Sequence, residues 1–212
     1  RQMCIRDSSY TEHTNGIPQN SSMQANVIYT SQTDVIEQQV KAARQLADFV
    51  VVGVHWGVEN SHTVVDAQRA LAQSLADWGA DLIIGTHPHV LQNAQWLTAA
   101  DGRQVFTAYS LGNFISTQEK PDQLIGAILS VQLEKTTELD GTVRCSVLSP
   151  RLLPTVTHYD AGKSNVRTYL FRDYTEALTK SHGVRQAYPD FSLEMIQSIA
   201  RENIDPELLQ LT

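Results

Sequence analysis

His55, His87 and His89 are the side chains of this sequence whose types and positions could do chemistry. Each stands just after a strongly apolar run. His55 follows Phe49-Val50-Val51-Val52-Gly53-Val54, and the other two follow Asp81-Leu82-Ile83-Ile84-Gly85. Such runs are the pattern of strands covered on both faces. Roughly 30 residues separate His55 from His87, the length of one helical crossover in a βαβ unit. If the two strands are neighbours, all three imidazoles leave the sheet at the edge where open α/β sheets place ligands. Imidazole is the commonest protein ligand for ions such as Zn, Mn or Fe, and converging neutral rings build a site without adding charge. A lone histidine after a strand is usually just hydrogen-bonded to backbone, but three at such positions weigh toward a ligand site. Pro88 keeps His87 out of helical geometry, and an extended His87-Pro88-His89 segment turns both rings to one side, each free to bind a different metal of a pair. Gly85 admits close backbone approach, which reads as room for a ligand rather than plain packing.

The loop HWGVENSH, His55 to His62, brings Glu59 and His62 to the same rim. Glu59 reads as a partner orienting an imidazole, a general acid or base, or a merely solvated carboxylate. Trp56 reads as a packing residue beneath the loop. Farther along, Tyr109-Ser110-Leu111-Gly112-Asn113-Phe114 ends a strand in a tight turn. Gly112 there permits a positive φ, and Asn113 either offers its amide to an anion or makes an Asx turn. Ser110 lacks the flanking glycines of a nucleophile elbow, so a serine nucleophile is disfavoured.

Positioning these groups takes a βαβα segment. Asp34 is a plausible cap for a helix over Val35 to Ala47, and Asp66 to Trp78 is a second amphipathic helix stopped by Gly79. Strands are expected at 27–29, 49–54, 81–85, 90–97, 104–109, 123–133 and 142–153, with helices at 165–180, 192–201 and after Pro206. Ser9 to Gln24 reads as loop, and Arg1 to Ser8 as a cloning scar or a short disordered arm. The fold class is therefore α/β: a parallel start, then mainly antiparallel strands, then a helical tail. With 212 residues, 42% hydrophobic and 18% charged, the chain can bury a core. A net charge of −7 makes a poor match for nucleic acid or an anionic membrane face. Cys4 and Cys145 cannot form a disulfide framework, and no apolar stretch is long enough to span a membrane.

The strings VVVGVHWGVENSH, GADLIIGTHPHV and AYSLGNF, in this order, resemble the CapA family of poly-γ-glutamate and capsule biosynthesis proteins, a branch of the calcineurin-like metallophosphatase superfamily. The likeness runs from Tyr10 to about Thr157, and Thr14-Asn15-Gly16 fits it as well. It implies part of a four-layer α/β sandwich, with residues 9–160 as the C-terminal part of the domain and 161–212 as its helical extension. It also implies a two-metal centre of Mn, Zn or Fe, with His55 and His87 on one metal and His89 on the other. His55, His89 and Glu59 would be catalytic, and Asn113, His62 and Asn15 would contact substrate. The family's earlier aspartate, glutamate and Asn-Asn-His motifs have no counterpart, since no GD, NLE or NNH string occurs. The chain is thus expected to be a C-terminal piece with half a metal site, binding one ion weakly and inactive alone. Half the sheet would be absent too, leaving an edge strand exposed.

What the resemblance implies about function divides in two. One reading is a metal-dependent hydrolase acting on a phosphoester or an anionic polymer. The other is a non-catalytic polyglutamate-binding factor for export or assembly, using the same pocket. A scaffold with purely structural histidines is the bland third option. Other capsule-synthesis proteins would be partners, at the cell surface, with membrane attachment only through an N-terminal anchor that this sequence does not include.

Overall fold

A computed structural model describes residues 3–14, 27–141 and 143–211. In chain order its elements are β1 (Ile5–Thr11), α1 (Thr33–Leu46), β2 (Phe49–His55), α2 (Asp66–Trp78), β3 (Leu82–Thr86), β4 (Leu91–Thr98) and β5 (Gln104–Leu111). Then come β6 (Ile125–Thr137), β7 (Val143–Asp160), β8 (Ser164–Leu170), α3 (Glu176–Ser181) and α4 (Leu193–Asn203). The first five strands form one sheet in the order β1-β2-β3-β5-β4, parallel except for β4, which runs antiparallel to β5. The last three form an antiparallel sheet, β6-β7-β8.

Alternation along the central strands sorts side chains to two cores. Val50, Val52 and Val54 of β2, Ile83 of β3 and Val105 of β5 pack with Ile36, Val40 and Ala43 of α1 and Ala72, Leu75 and Ala76 of α2. Phe49, Leu82, Phe106 and Ala108 point the other way. They meet Ile125, Leu152 and Val156 of the second sheet and Phe191, Ile196 and Ala200 of the tail. Helices, five-stranded sheet and second sheet therefore stack as successive layers, an α/β arrangement of the metallophosphatase kind. Among the described residues no helix is long and apolar enough to cross a membrane.

Several elements differ from the sequence expectation. Residues 5–11 are a strand, not a scar, an arm or a loop: β1 lies parallel to β2 with Thr11 opposite His55. As an edge strand it is largely exposed and needs no apolar run, so its composition hid it. The strand expected at 27–29 reduces to one bridge between Tyr29 and Thr11. Helix α1 starts at Thr33, so Asp34 lies in its first turn, where its charge still complements the helix dipole. The helix expected over 165–180 is β8 followed by the short α3, because Thr155 to His158 of β7 offer residues 167–170 a pairing edge. After Pro206 the chain makes a turn and Leu209 bridges to Leu152.

A buried histidine pair lies under the tail. His182 is 2% exposed; its Nε2–H donates to Thr157 O at 3.0 Å, and its Nδ1 accepts from the Val184 N–H at 3.0 Å. The His158 ring is 4.7 Å away. Burial pushes the His182 pKa down to about 4, because a second ring proton would face the Val184 N–H with no water to help. The unfolded chain takes that proton near pH 6.5, so stability is full above 6.5 and falls as pH drops toward 4. The expected loss by pH 4 is about 3 kcal/mol. Urea unfolding midpoints between pH 7 and pH 4 should show this slope, and His182→Gln should flatten it.

Candidate metal centre

The parallel register places Thr11, His55 and Thr86 side by side at the carboxyl ends of β1, β2 and β3. His87 follows Thr86 directly, and a third ring, His13, stands two residues beyond Thr11. Ring centroids are 4.4 Å apart for His55 and His87, 4.5 Å for His13 and His87, 5.3 Å for His13 and His55, and 6.0 Å for His87 and His89. Two groups of donor atoms result, His13 with His55 and His87, and Glu59 with His87 and His89, each with all its atoms within 4.8 Å of one another.

Hydrogen bonds around the rings decide which nitrogens are available. Thr11 Oγ1 donates its one proton to His13 O at 2.7 Å, so the 3.2 Å contact with His55 Nδ1 has the ring nitrogen as donor. That leaves the His55 Nε2 lone pair free. His89 is set in the same way. Its Nδ1 lies 2.9 Å from Asn113 Oδ1, and Asn113 Nδ2 donates to the carbonyls of His89 (3.2 Å) and Gln123 (2.9 Å) and to Gln118 Oε1 (3.0 Å). Backbone carbonyls only accept, so the amide cannot be reversed, His89 Nδ1 carries the proton and Nε2 is open. Asn113 thus serves as an orienting partner of the kind found behind metal-bound histidines. Its amide hydrogens are engaged with protein oxygens, not turned toward an anion, which was one of the two roles the sequence left open.

Burial lowers the pKa of His55 and, for His87, burial followed by the neighbouring His55 and His13 does the same. Both rings are therefore neutral at pH 7, the form that binds metal.

Backbone strain marks the same place. His87 has φ of 100° and His89 of 61°, so His87-Pro88-His89 is a left-handed turn rather than the extended segment expected. A φ of 100° is costly for any residue with a Cβ, and such strain gathers where function demands a fixed geometry. The loop after β2 clamps this turn: Asn60, itself at φ 61°, donates its N–H to Pro88 O at 2.8 Å, and Gln123 Nε2 donates to Asn60 Oδ1. Gly112 takes the positive φ, 65°, that its turn required.

The remaining expected residues fall outside the cluster. His62 turns its Nδ1–H to Leu91 O at 2.7 Å and its Nε2 toward Asp122, 3.8 Å away, and belongs to neither donor group among the described residues. Asn15 lies outside the described residues. Gly85 serves packing, not a ligand: Trp56 Nε1 donates across it to Tyr109 O at 3.0 Å. Trp56 is buried beneath the loop, as expected. His13 was missed, since nothing local in Tyr10-Thr11-Glu12-His13 announces a strand end; pairing Ile5–Thr11 with β2 would have found it.

The donors fit a divalent transition ion. Three atoms no more than 4.8 Å apart always leave some point within about 2.8 Å of each, against about 2.0–2.1 Å for a zinc–imidazole bond. Side-chain adjustments of up to about 0.8 Å close that difference.

Residues 4–118 match the family described as "Bacterial capsule synthesis protein PGA_cap". The chain is similar to the PGA biosynthesis protein CapA of Bacillus subtilis (strain 168), with 39% identity over 108 residues, 51% of this chain and 26% of that protein. It is also similar to the capsule biosynthesis protein CapA of Bacillus anthracis, with 42% identity over 89 residues, 40% of this chain and 20% of that protein. The matched region thus spans about a quarter or less of those relatives' length.

Proposed function

The chain belongs to the bacterial capsule synthesis protein family, and on that premise we propose that it carries the histidine half of a metal-dependent hydrolase of poly-γ-glutamate or capsule biosynthesis. The observation that carries this reading is the meeting of His55, His87 and His89 at one sheet edge, with Thr11 and Asn113 leaving Nε2 open on His55 and His89. His55 and His87 would hold one divalent ion, Zn, Mn or Fe, and His89 a second, supplying Lewis acidity and a water acidic enough to attack at neutral pH. Asn113 keeps His89 in one tautomer and one orientation. Glu59, exposed beside His87 and His89, is placed to accept a proton. The substrate class is a phosphoester or an anionic polymer, handled with other capsule-synthesis proteins at the cell surface, a setting supported by the family description.

Titrating Zn2+ or Mn2+ into the metal-stripped chain by calorimetry tests this. Saturable binding is expected, weakened on the order of 100-fold in His55→Ala and His87→Ala, since each ligand of a structural site is worth about 3 kcal/mol. Asn113→Ala should weaken binding at the His89 position about 10–100-fold without touching the metal. Binding that is absent, or unchanged in His55→Ala and His87→Ala, overturns the metal centre. Polyglutamate binding by a chain that holds no metal would move the family role to a non-catalytic one.

A further inference from the structure

His13 is left over once His55, His87, His89 and Glu59 have been given roles, yet it lies closer to His87 than His89 does, at 4.5 Å against 6.0 Å between ring centroids. Its position is fixed from several directions. The parallel pairing of β1 and β2 carries it past Thr11 to the level of His55. Glu12 N donates to His55 O at 2.7 Å, and Gly57 N donates to Glu12 Oε2 at 2.8 Å, so His55 and Gly57 are both tied to the residue before His13. The Thr11 hydroxyl that accepts from His55 Nδ1 also donates to His13 O, so one side chain holds two members of the group. The His13 ring stands nearly perpendicular to His87 (84°) and steeply inclined to His55 (67°), not stacked on either. Rings arranged so can turn nitrogen edges toward a common point, and the donor atoms of all three already lie within 4.8 Å of one another.

We infer that His13 is a third imidazole ligand that closes the His55–His87 position, so that this chain holds one transition-metal ion through three neutral nitrogens and no carboxylate. This rests on the metal reading above and goes beyond it in ligand set and ion preference. Three strand ends supply the donors, leaving a fourth position open, as in catalytic three-histidine zinc sites. Nitrogen-only coordination favours Zn2+ and Co2+ over Mn2+ and Mg2+, which prefer oxygen. It also reverses the expectation that a chain with half of a dinuclear centre binds metal only weakly.

Co2+ is the probe, added to the metal-stripped chain and followed by its visible absorption and by calorimetry. One equivalent is expected to bind with the spectrum of a four-coordinate nitrogen site and to be displaced by Zn2+ but not by Mn2+. His13→Ala and His13→Phe, the second keeping a ring in place, should each weaken binding on the order of 100-fold. Far-UV circular dichroism checks that both variants stay folded. His62→Ala, whose ring belongs to neither donor group, should leave the Co2+ spectrum unchanged. Wild-type affinity in both His13 variants, with binding lost in His55→Ala, overturns this inference and leaves the metal reading standing. Absence of Co2+ binding by the unaltered chain overturns both.

Discussion

Gly85→Ala is expected to cost about 4 kcal/mol or more, its added Cβ meeting a closer neighbour than at any other glycine among the described residues. A Cβ on residue 85 would stand 1.9 Å from Tyr109 O and 2.3 Å from Trp56 Nε1, where real Cβ atoms essentially never come within 3.0 Å. Neither neighbour can yield cheaply. Tyr109 O is backbone of β5, the strand paired with β3 through Ile84 and Ala108 one step earlier. Trp56 is buried, packs against Tyr109 with ring centroids 5.9 Å apart, and spends its only polar hydrogen on Tyr109 O. Accepting the methyl means parting β3 from β5 or expelling the indole, and the second choice leaves a cavity as well as a carbonyl without its donor. The effect should reach the site, because Trp56 adjoins His55 and residue 85 lies two positions before His87. Tryptophan fluorescence and urea midpoints would register the loss. A variant within 1 kcal/mol of wild type would mean that the indole does not lie across β3.

This glycine also shows where sequence reasoning stopped. Its type announced a close approach beside the histidines, but not whether ligand or protein made that approach. The partners were Tyr109 of β5 and Trp56, just past the end of β2. Elements that carry their own signals were legible: the run Phe49 to Val54 became β2, and Asp66 to Trp78 became α2 with the same bounds. β2 is covered on both faces and α2 along one, so the burial that decides them is written in their residues. Residues 5–11 and 164–170 were not legible, because each forms a strand only by pairing, β1 with the distant β2 and β8 with the preceding β7, and buries little of its own surface.

The site divides in the same way. His55, His87 and His89 could be picked out because they end apolar strands, and the structure brings them together. His13 ends the one strand that looked like loop. The positive φ of His87 and His89 has no local signature either, since histidine tolerates but does not announce it. Asn113 was noticed for its amide, but its part as the partner of His89 depends on carbonyls 10 and 24 residues away in sequence.

Asp81→Ala should cost about 3 kcal/mol while leaving the imidazole cluster in place, which separates stability from metal binding. Asp81 sits just before β3, at the end of that strand opposite His87, with its side chain only 7% exposed. One oxygen accepts from the Val50 N–H at 2.8 Å and from Arg44 Nη1 at 2.5 Å; the other accepts from Arg103 Nη1 at 3.3 Å. The two guanidiniums continue outward to backbone carbonyls. Arg44 reaches Ala47 and Asp48 at the end of α1, and Arg103 reaches Ala76 and Ala80 around the end of α2. A single carboxylate thereby ties both crossover helices to β2, β3 and the turn before β5. Removing it leaves a buried N–H without an acceptor and Arg44 without its counter-charge, while Arg103 keeps Asp101 at 2.7 Å; breaking a fully buried pair is worth about 3–5 kcal/mol. The arginines are 28% and 26% exposed and keep their carbonyl partners, which places the loss at the low end of that range. Asp81→Asn, retaining one acceptor for Val50, should recover part of it. If Asp81→Ala instead weakened Co2+ binding as much as His55→Ala does, the two ends of the sheet would be coupled, and the imidazoles would owe their arrangement to the whole sheet rather than to Thr11 and Asn113.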